Sequence, residues 1–117
     1  MSHFSTLRTK ITNAEVLKTS LKDLGLEVKT EADVRGYNGQ RIRADIVAVL
    51  EGEYDLGWSQ NTNGSFDLIA DLWGVAKKHN QTELINSINQ KYAINKTLQE
   101  AKLPGLQNAN VRLMVHS

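Results

Sequence analysis

Four aspartates have a spacing that could place carboxylates together. Asp45, Asp55, Asp67 and Asp71 fall on three adjacent predicted strands, so two of them could approach each other across the sheet. A close carboxylate pair can act as general acid and base in glycoside or phosphoryl chemistry. Charged residues on the open face of a sheet are ordinarily just solvated. We therefore keep a metal- or carboxylate-dependent hydrolase as the second of two alternative functions.

The three histidines carry little further chemistry. His3 and His116 lie on the predicted first and last strands, which could be neighbours, whereas His79 stands apart. Two imidazoles lack the third ligand of a catalytic metal, and no HxH, HxxxH or HExxH spacing is present. The chain has no cysteine and no serine in a GxSxG turn. We predict no catalytic residue, no metal site and no cofactor.

The best candidate for a contact surface is the turn RGYNGQ. Guanidinium and aromatic groups surround it and could stack on a base or bind a carboxylate. The same Tyr-Asn-Gly sequence is also typical of a plain hairpin turn. Trp58 and Trp73 are expected in the core or at its edge, and either would mark a partner site if exposed. The predicted binding residues are Arg35, Tyr37, Asn38, Arg41 and Arg43.

These residues need a β-sheet to position them. From Leu26 to Asp71 apolar and polar residues alternate through four segments, broken by RGYNGQ, EGE and NTNG. This period of two predicts a β-meander in which Leu26, Val28 and Val34 share one face. The alternation continues as far as Trp73, and Gly57 marks a place where a neighbour approaches closely. A further strand is predicted from His3 to Ile11.

Two helical regions complete the pattern. Thr12 and Glu15 have the spacing of a capping box, and the first helix should end at Gly25. Residues 74–80 read as a connection, and Asn80 should cap a second helix that stops at Pro104-Gly105. Alternation at 111–115 predicts a final strand. The expected core joins the strand residues Val28, Ile46, Leu56 and Leu68 to the helix residues Leu17, Leu21, Leu24, Ile85 and Ile88.

The predicted order is therefore β-α-β-β-β-β-α-β. It favours the α+β class, with an antiparallel β-meander sheet and both helical regions on one face. With 117 residues the chain is expected to form a single domain spanning 1–117. A net charge of +1 gives no bulk electrostatic argument for nucleic acid. No apolar run approaches the roughly 20 residues of a membrane span, so membrane insertion is not expected.

Several motifs point to a known family. The chain opens MSHFSTLRTKIT and continues through EVLKTSLKDLGLEV, VRGYNGQ, RADIVAV, YDLGW, FDLIADLW and QKYAINKTL. With these motifs it resembles the hypothetical chloroplast open reading frame thirty-five family, a conserved domain of unknown function. The segment GVAKKHNQ after Trp73 departs from the more aromatic family pattern, and the tail stops shortly after the last predicted strand. The resemblance implies the cyanobacterial cytosol or plastid stroma, or a host cell if phage-encoded, and transfers no catalytic residue.

The leading functional hypothesis is a small, non-enzymatic accessory or adaptor domain. Its partner would be a protein, bound by the RGYNGQ hairpin and the adjacent sheet, because the chain has no reactive constellation. The first alternative is a nucleic-acid-binding protein that uses Arg35, Arg41, Arg43 and Tyr37. The oligomeric state stays open at this point.

Overall fold

The structure is a computed structural model that describes residues 3–101. Its strands are β1 (Ser5–Arg8), β2 (Glu27–Arg35), β3 (Arg41–Val49), β4 (Asp55–Gln60) and β5 (Phe66–Ala70). Its helices are α1 (Ala14–Asp23), α2 (Leu72–Val75) and α3 (Gln81–Ala101), and a single 3₁₀ turn spans Tyr37–Gly39. The predicted stop at Pro104-Gly105, the final strand at 111–115 and His116 lie outside the described residues.

The five strands form one antiparallel sheet in the order β1-β5-β4-β3-β2. β2 through β5 are consecutive neighbours, as a meander requires, and β1 adds to the outer side of β5. The α+β class and the antiparallel meander are confirmed. Among residues 3–101, β1 and β2 are the two edge strands.

The main core lies between one face of the sheet and the helices. Leu17 and Leu21 of α1 and Ile88 of α3 pack against Ile46 and Leu56 of the sheet. Both long helices therefore lie on one face, as predicted, and α3 runs unbroken for 21 residues. The expected core position of Leu24 is wrong. Its side chain is 37% exposed, because α1 has already ended at Asp23.

A second, smaller cluster covers the opposite face of the sheet. Val34, Ala44 and Val47 are buried there, with Phe4 packed against them. The prediction that Val28 and Val34 share a face is wrong, since Val28 packs with the helices. Between them Glu31 has a φ of 47°, a left-handed conformation that interrupts the regular alternation of β2.

Close packing on this second face explains Gly57. A Cβ atom built there would overlap Val34 Cγ2 and lie 3.0 Å from Ala44 Cβ. The close approach predicted at Gly57 is confirmed. The approaching group is the Val34 side chain, near the C-terminal end of β2. The middle of the sheet is thus packed on both faces.

Hydrogen bonds shift two predicted boundaries near the N-terminus. Asn13, not Thr12, caps α1, because Asn13 Oδ1 accepts from the Val16 amide at 3.1 Å. β1 stops at Arg8 rather than Ile11, since the Thr9 hydroxyl turns to donate to the Phe66 carbonyl at 2.5 Å. The predicted cap of α3 is confirmed, with Asn80 Oδ1 accepting from the Glu83 amide at 3.1 Å.

Candidate binding surface

At one end of the sheet a buried carboxylate fixes the base of the RGYNGQ hairpin. Asp55 is 2% exposed and begins β4. Its Oδ2 accepts from the Arg35 amide at 3.0 Å and from Arg35 Nε at 2.8 Å. Its Oδ1 accepts from Arg35 Nη2 at 2.8 Å and from the Leu50 amide at 3.2 Å. Four donors therefore converge on one carboxylate, and two of them form a bidentate ion pair.

The same contact determines the state of Arg35. Its Nη2 also donates to the Leu50 carbonyl at 3.0 Å, so the guanidinium joins β2 to the end of β3. The hydrogen bond to Asp55 raises the pKa of Arg35 above its ordinary value, although burial acts in the opposite direction. An arginine side chain stays protonated in proteins, so Arg35 and Asp55 form an ion pair. The main role of the Arg35 side chain is therefore structural. Solvent still reaches 31% of it.

A second buried carboxylate, Asp71, bridges the hairpin to α2. Asp71 is 1% exposed and follows β5 directly. Its Oδ1 accepts from the Gly74 amide at 3.1 Å and so caps α2, while Oδ2 accepts from the Tyr37 amide at 3.1 Å. The prediction that a strand reaches Trp73 is therefore wrong, whereas the predicted connection is confirmed for residues 76–80, between α2 and α3. The Asp71 cap ends the strand and starts a short helix instead.

Both segments held by Asp71 present an aromatic side chain to solvent. Tyr37 is 42% exposed and Trp73 is 67% exposed. By contrast Trp58 is 1% exposed and belongs to the core. Within residues 3–101 the other large apolar side chains that stay exposed are Leu7 and Leu24. We call the area around the two aromatic residues the Tyr37–Trp73 surface.

Close packing beneath this surface holds its backbone in place. The Phe4 ring occupies the space that a Cβ atom at Gly36 would need, just before Tyr37. In the same way the Tyr54 ring occupies the position of a Cβ atom at Gly74, just after Trp73. Each exposed aromatic residue thus neighbours a glycine that is pinned by a buried or half-buried ring. Lys77 Nζ lies 5.8 Å from the centre of the Tyr54 ring.

The remaining predicted binding residues line the edge of the hairpin. Asn38 adopts a left-handed conformation with a φ of 55°, which allows the tight turn. Arg41 and Arg43 are exposed, and Arg43 lies 3.8 Å from Asp33 across the β2–β3 pair. A groove of about 440 Å³ runs beside the turn and is lined by Arg35, Arg41 and Glu53 among others. That the hairpin residues bind a ligand or partner stays a prediction.

The four aspartates do not form one cluster. Asp55 and Asp71 lie at the end of the sheet described above, each with its own donors. Asp45 is exposed at the opposite end, where it accepts from the Gln60 amide at 2.8 Å, and Asp67 accepts there from Asn61 Nδ2 at 3.0 Å. Within residues 3–101 no three His, Cys, Asp or Glu side chains are grouped so that they could hold a metal ion.

The histidine pair cannot be assembled from the described residues, since His116 lies outside them and His3 is exposed. His79 Nε2 lies 3.1 Å from the Glu51 carbonyl oxygen, which ties the segment after α2 to the turn after β3. A cavity of about 350 Å³ lies between these two segments, lined by Tyr54, Lys77 and His79 among others.

Sequence reasoning missed Asp71 and Trp73 as members of the surface. The spacing Asp71-Leu72-Trp73-Gly74 was available as a helix-capping signal, since an aspartate can accept from the amide three residues later. The alternation of apolar residues through β5 and up to Trp73 predicts a continuing strand instead of this helix cap. The sequence predicts Trp73 in the core or at its edge, and its exposure meets the stated condition for a partner site.

The fold and this surface define a small α+β domain: an antiparallel sheet backed by two long helices, with an aromatic surface fixed by two buried carboxylates. Residues 20–114 match the model of the family described as "Protein of unknown function (DUF1257)". The chain belongs to this family.

Curated relatives agree with that assignment. The "Uncharacterized protein ycf35" of Guillardia theta is 32% identical over 111 residues, which cover 94% of this chain and 86% of the relative. Its namesake in Pyropia yezoensis is 29% identical over 109 residues, covering 92% and 84%. The one in Cyanophora paradoxa is 25% identical over 124 residues, covering 98% and 96%. The resemblance to the chloroplast reading frame family is thus confirmed. No solved structure matches the chain.

Within residues 3–101, none of the helices combines the length with the apolar character that a bilayer crossing requires.

Proposed function

We propose that this protein is a protein-binding accessory domain whose contact site is the Tyr37–Trp73 surface. The observation that carries the proposal is that buried Asp71 holds both aromatic segments at once. Tyrosine, tryptophan and arginine dominate the energetics of protein interfaces, because they bury large areas and keep a polar group. All three types occur here, with Arg41 exposed on the hairpin.

Preorganisation supports the same proposal. A surface that is already ordered loses little conformational entropy when a partner binds. The Phe4 and Tyr54 rings pack under the two aromatic segments, and the Arg35–Asp55 ion pair fixes the base of the hairpin. Solvation alone does not require a rigid framework for two exposed aromatic side chains. In a binding surface such a framework lowers the entropic cost of association.

The proposal requires two matched variants. We expect the double variant Tyr37→Ala, Trp73→Ala to fail to capture a partner that the wild-type protein captures from a cyanobacterial lysate. Its free energy of unfolding should change by less than about 1 kcal/mol, because both side chains are exposed. Leu24→Ala is the control, since Leu24 is also exposed but sits at the end of α1. Capture that is unchanged in the double variant, or equally lost in Leu24→Ala, would refute the proposed surface.

Binding of nucleic acid by the same hairpin is the alternative that the experiment must separate. Arg35 is held by Asp55, and Arg43 lies near Asp33, which leaves Arg41 as the exposed cation next to Tyr37. Phosphate binding weakens steeply as salt rises, because counterions are released on association. Salt-sensitive binding of single-stranded or duplex oligonucleotides that Arg41→Glu abolishes would favour this alternative over a protein partner.

The setting in which the partner should be sought follows from the family. We infer the plastid stroma or the cyanobacterial cytosol, as the chloroplast reading frame family implies. A phage-encoded copy would act in its host cell. Lysates from these sources are therefore the ones to use for capture.

A further inference from the structure

The groove of about 440 Å³ beside the RGYNGQ turn contains two arginines from neighbouring strands. Arg35 and Arg41 are directly opposite each other in the β2–β3 pairing, so their side chains project from the same face. Glu53 and the turn itself complete the lining, and we call this feature the Arg35–Arg41 groove. Like charges in directly opposite positions destabilise a sheet. An anion bound between the two guanidinium groups would offset their repulsion.

The Arg35 guanidinium is held in a fixed orientation. Its Nε and Nη2 each donate to Asp55 at 2.8 Å, and Nη2 also donates to the Leu50 carbonyl at 3.0 Å. Nη1 takes no part in these bonds, and the side chain is partly exposed. A guanidinium that is already oriented loses little conformational entropy when it binds a further acceptor. Arg35 therefore offers a preorganised donor next to the exposed Arg41.

The charges around the groove favour a carboxylate over a phosphate. Two arginines and one glutamate line the groove, and the Asp55 carboxylate lies directly behind Arg35. A phosphate group carries a charge of about −1.5 to −2 near neutral pH, whereas a carboxylate carries a single negative charge. The two carboxylates already present would therefore repel a phosphate more strongly than a carboxylate.

The backbone of the turn favours a side-chain carboxylate over a chain terminus. Terminal carboxylates are captured by successive backbone amides. Here the Gly36 amide donates to the Gln40 carbonyl at 2.8 Å, and the Gln40 amide donates to the Tyr37 carbonyl at 3.0 Å. The Tyr37 amide is bonded to Asp71. With these amides engaged inside the protein, the guanidinium groups are the donors that the groove offers to an anion.

We infer that the Arg35–Arg41 groove binds the carboxylate of an aspartate or glutamate side chain of the protein partner. Arg41 supplies charge-assisted hydrogen bonds to that carboxylate, and Arg35 Nη1 adds a further donor. The inference rests on the proposed function. Two residues that line the groove, Gly36 and Asn38, flank Tyr37 in the chain, so a partner on the Tyr37–Trp73 surface lies next to the groove.

Small probes test the groove without the partner. Isotope-labelled protein is titrated at constant ionic strength with N-acetylglutamate N-methylamide and with its glutamine analogue, in which an amide replaces the side-chain carboxylate. We expect the glutamate probe to shift the Nε–H signals of Arg35 and Arg41 saturably, with an affinity at least about fivefold higher than that of the glutamine probe. Equal affinities, or no saturable shift, would overturn the inference.

Two further probes distinguish the possible sources of the anion. Inorganic phosphate represents a phosphorylated or nucleic-acid ligand, and N-acetylalanine represents a chain terminus. We expect both to bind more weakly than the glutamate probe. Tighter binding of phosphate would overturn the inference in favour of a phosphate ligand, and tighter binding of N-acetylalanine would overturn it in favour of a terminal carboxylate.

A matched pair of variants tests whether the groove or the net charge is responsible. Arg41→Gln and Arg43→Gln each remove one exposed positive charge from β3, but Arg41 lines the groove and Arg43 does not. We expect Arg41→Gln to weaken binding of the glutamate probe at least about fivefold, and Arg43→Gln to change it less than about twofold. Equal weakening by both variants would overturn the inference.

Capture of the partner separates this inference from the proposed function. We expect Arg41→Gln to lower capture and Arg43→Gln to leave it unchanged. If the Tyr37→Ala, Trp73→Ala variant loses the partner but Arg41→Gln retains it, the surface stands and the carboxylate inference is overturned. If that double variant retains the partner, the proposed surface is itself wrong, and the carboxylate inference falls with it.

Discussion

Two aspartates lie near each end of the β4–β5 pair, and their environments differ between the two ends. Asp55 and Asp71 are buried, whereas Asp45 is exposed and Asp67 is half-buried. Asp55 bonds to Arg35, 20 residues away, and Asp71 bonds to Tyr37, 34 residues away. At the opposite end Asp67 bonds to Asn61, six residues away in the adjoining turn, and the exposed Asp45 accepts from the Gln60 amide, 15 residues away.

This difference shows how burial changes the role of one residue type. A buried carboxylate must have its oxygens satisfied by donors, so it fixes whatever segments supply those donors. An exposed carboxylate can be satisfied by water, and its protein contacts add little. One end of the sheet is therefore cross-linked by buried carboxylates, and it is the end that presents Tyr37 and Trp73.

The largest expected effect is at Asp55. Asp55→Ala leaves the Arg35 guanidinium and the Arg35 and Leu50 amides without their acceptor, and we expect it to reduce the free energy of unfolding by about 3 kcal/mol. The value is at the lower end of the range for buried pairs because Arg35 keeps contact with water. Urea denaturation measures it, with Asp67→Ala as the control. A loss at Asp55 no greater than at Asp67 would contradict the comparison.

A steric test at the same end comes next. Gly36→Ala places a methyl group where the Phe4 ring lies, and overpacking of this kind costs roughly 1 to 3 kcal/mol. Gly64→Asn is the control at the opposite end. Gly64 has a φ of 92° and open space around it, so asparagine should cost less than about 1 kcal/mol.

The double variant Gly36→Ala with Phe4→Ala sharpens this prediction. If the Phe4 ring is the obstacle, its removal makes the combined loss smaller than the sum of the two single losses. Additive losses in denaturant melts would mean that another contact limits Gly36.

Asp71→Ala should cost somewhat less than Asp55→Ala because no ion pair is broken. Loss of a helix cap and of the acceptor for the Tyr37 amide predicts a reduction of about 1 to 2 kcal/mol in the free energy of unfolding. Amide hydrogen exchange should rise at Tyr37 and Gly74 in particular. Asp71→Asn, which keeps one acceptor oxygen, should show a smaller change, and unchanged exchange at both amides in Asp71→Ala would refute the bridging role.

The smallest effects are expected at the exposed end. Asp45→Asn and Asp67→Asn should each change the free energy of unfolding by less than about 0.5 kcal/mol, as surface substitutions usually do. Thermal or urea melts detect larger changes easily. A loss above 1 kcal/mol at either position would show that this end is cross-linked as well.

The local patterns of the sequence predicted most of the sheet and both long helices. Period-two alternation identified β2 to β5, and Leu17, Leu21 and Ile88 were assigned correctly to the core. Alternation failed at Glu31, since nothing in the sequence marks a left-handed glutamate inside a strand. It also failed after Ala70, where an aspartate cap overrode a continuing apolar pattern.

The candidate surface was only half predictable for a related reason. Tyr37 and Asn38 were found because turn chemistry is local. The contacts of Asp55 and Asp71 join segments 20 and 34 residues apart, and a single sequence carries no signal for such pairs. The sequence therefore predicts Arg35 as a binding residue like Arg41, although Asp55 holds its guanidinium in an ion pair.

The left-handed Glu31 also affects how the protein behaves at high concentration. Within the described residues β2 is an edge strand, and a regular edge can recruit a strand from another molecule and start aggregation. Glu31 is absent from the residue pairs that β2 makes with β3, and its exposed neighbours include Lys29 and Asp33. An incoming strand would meet an irregular backbone flanked by charges, so we expect this edge to disfavour the growth of intermolecular sheets.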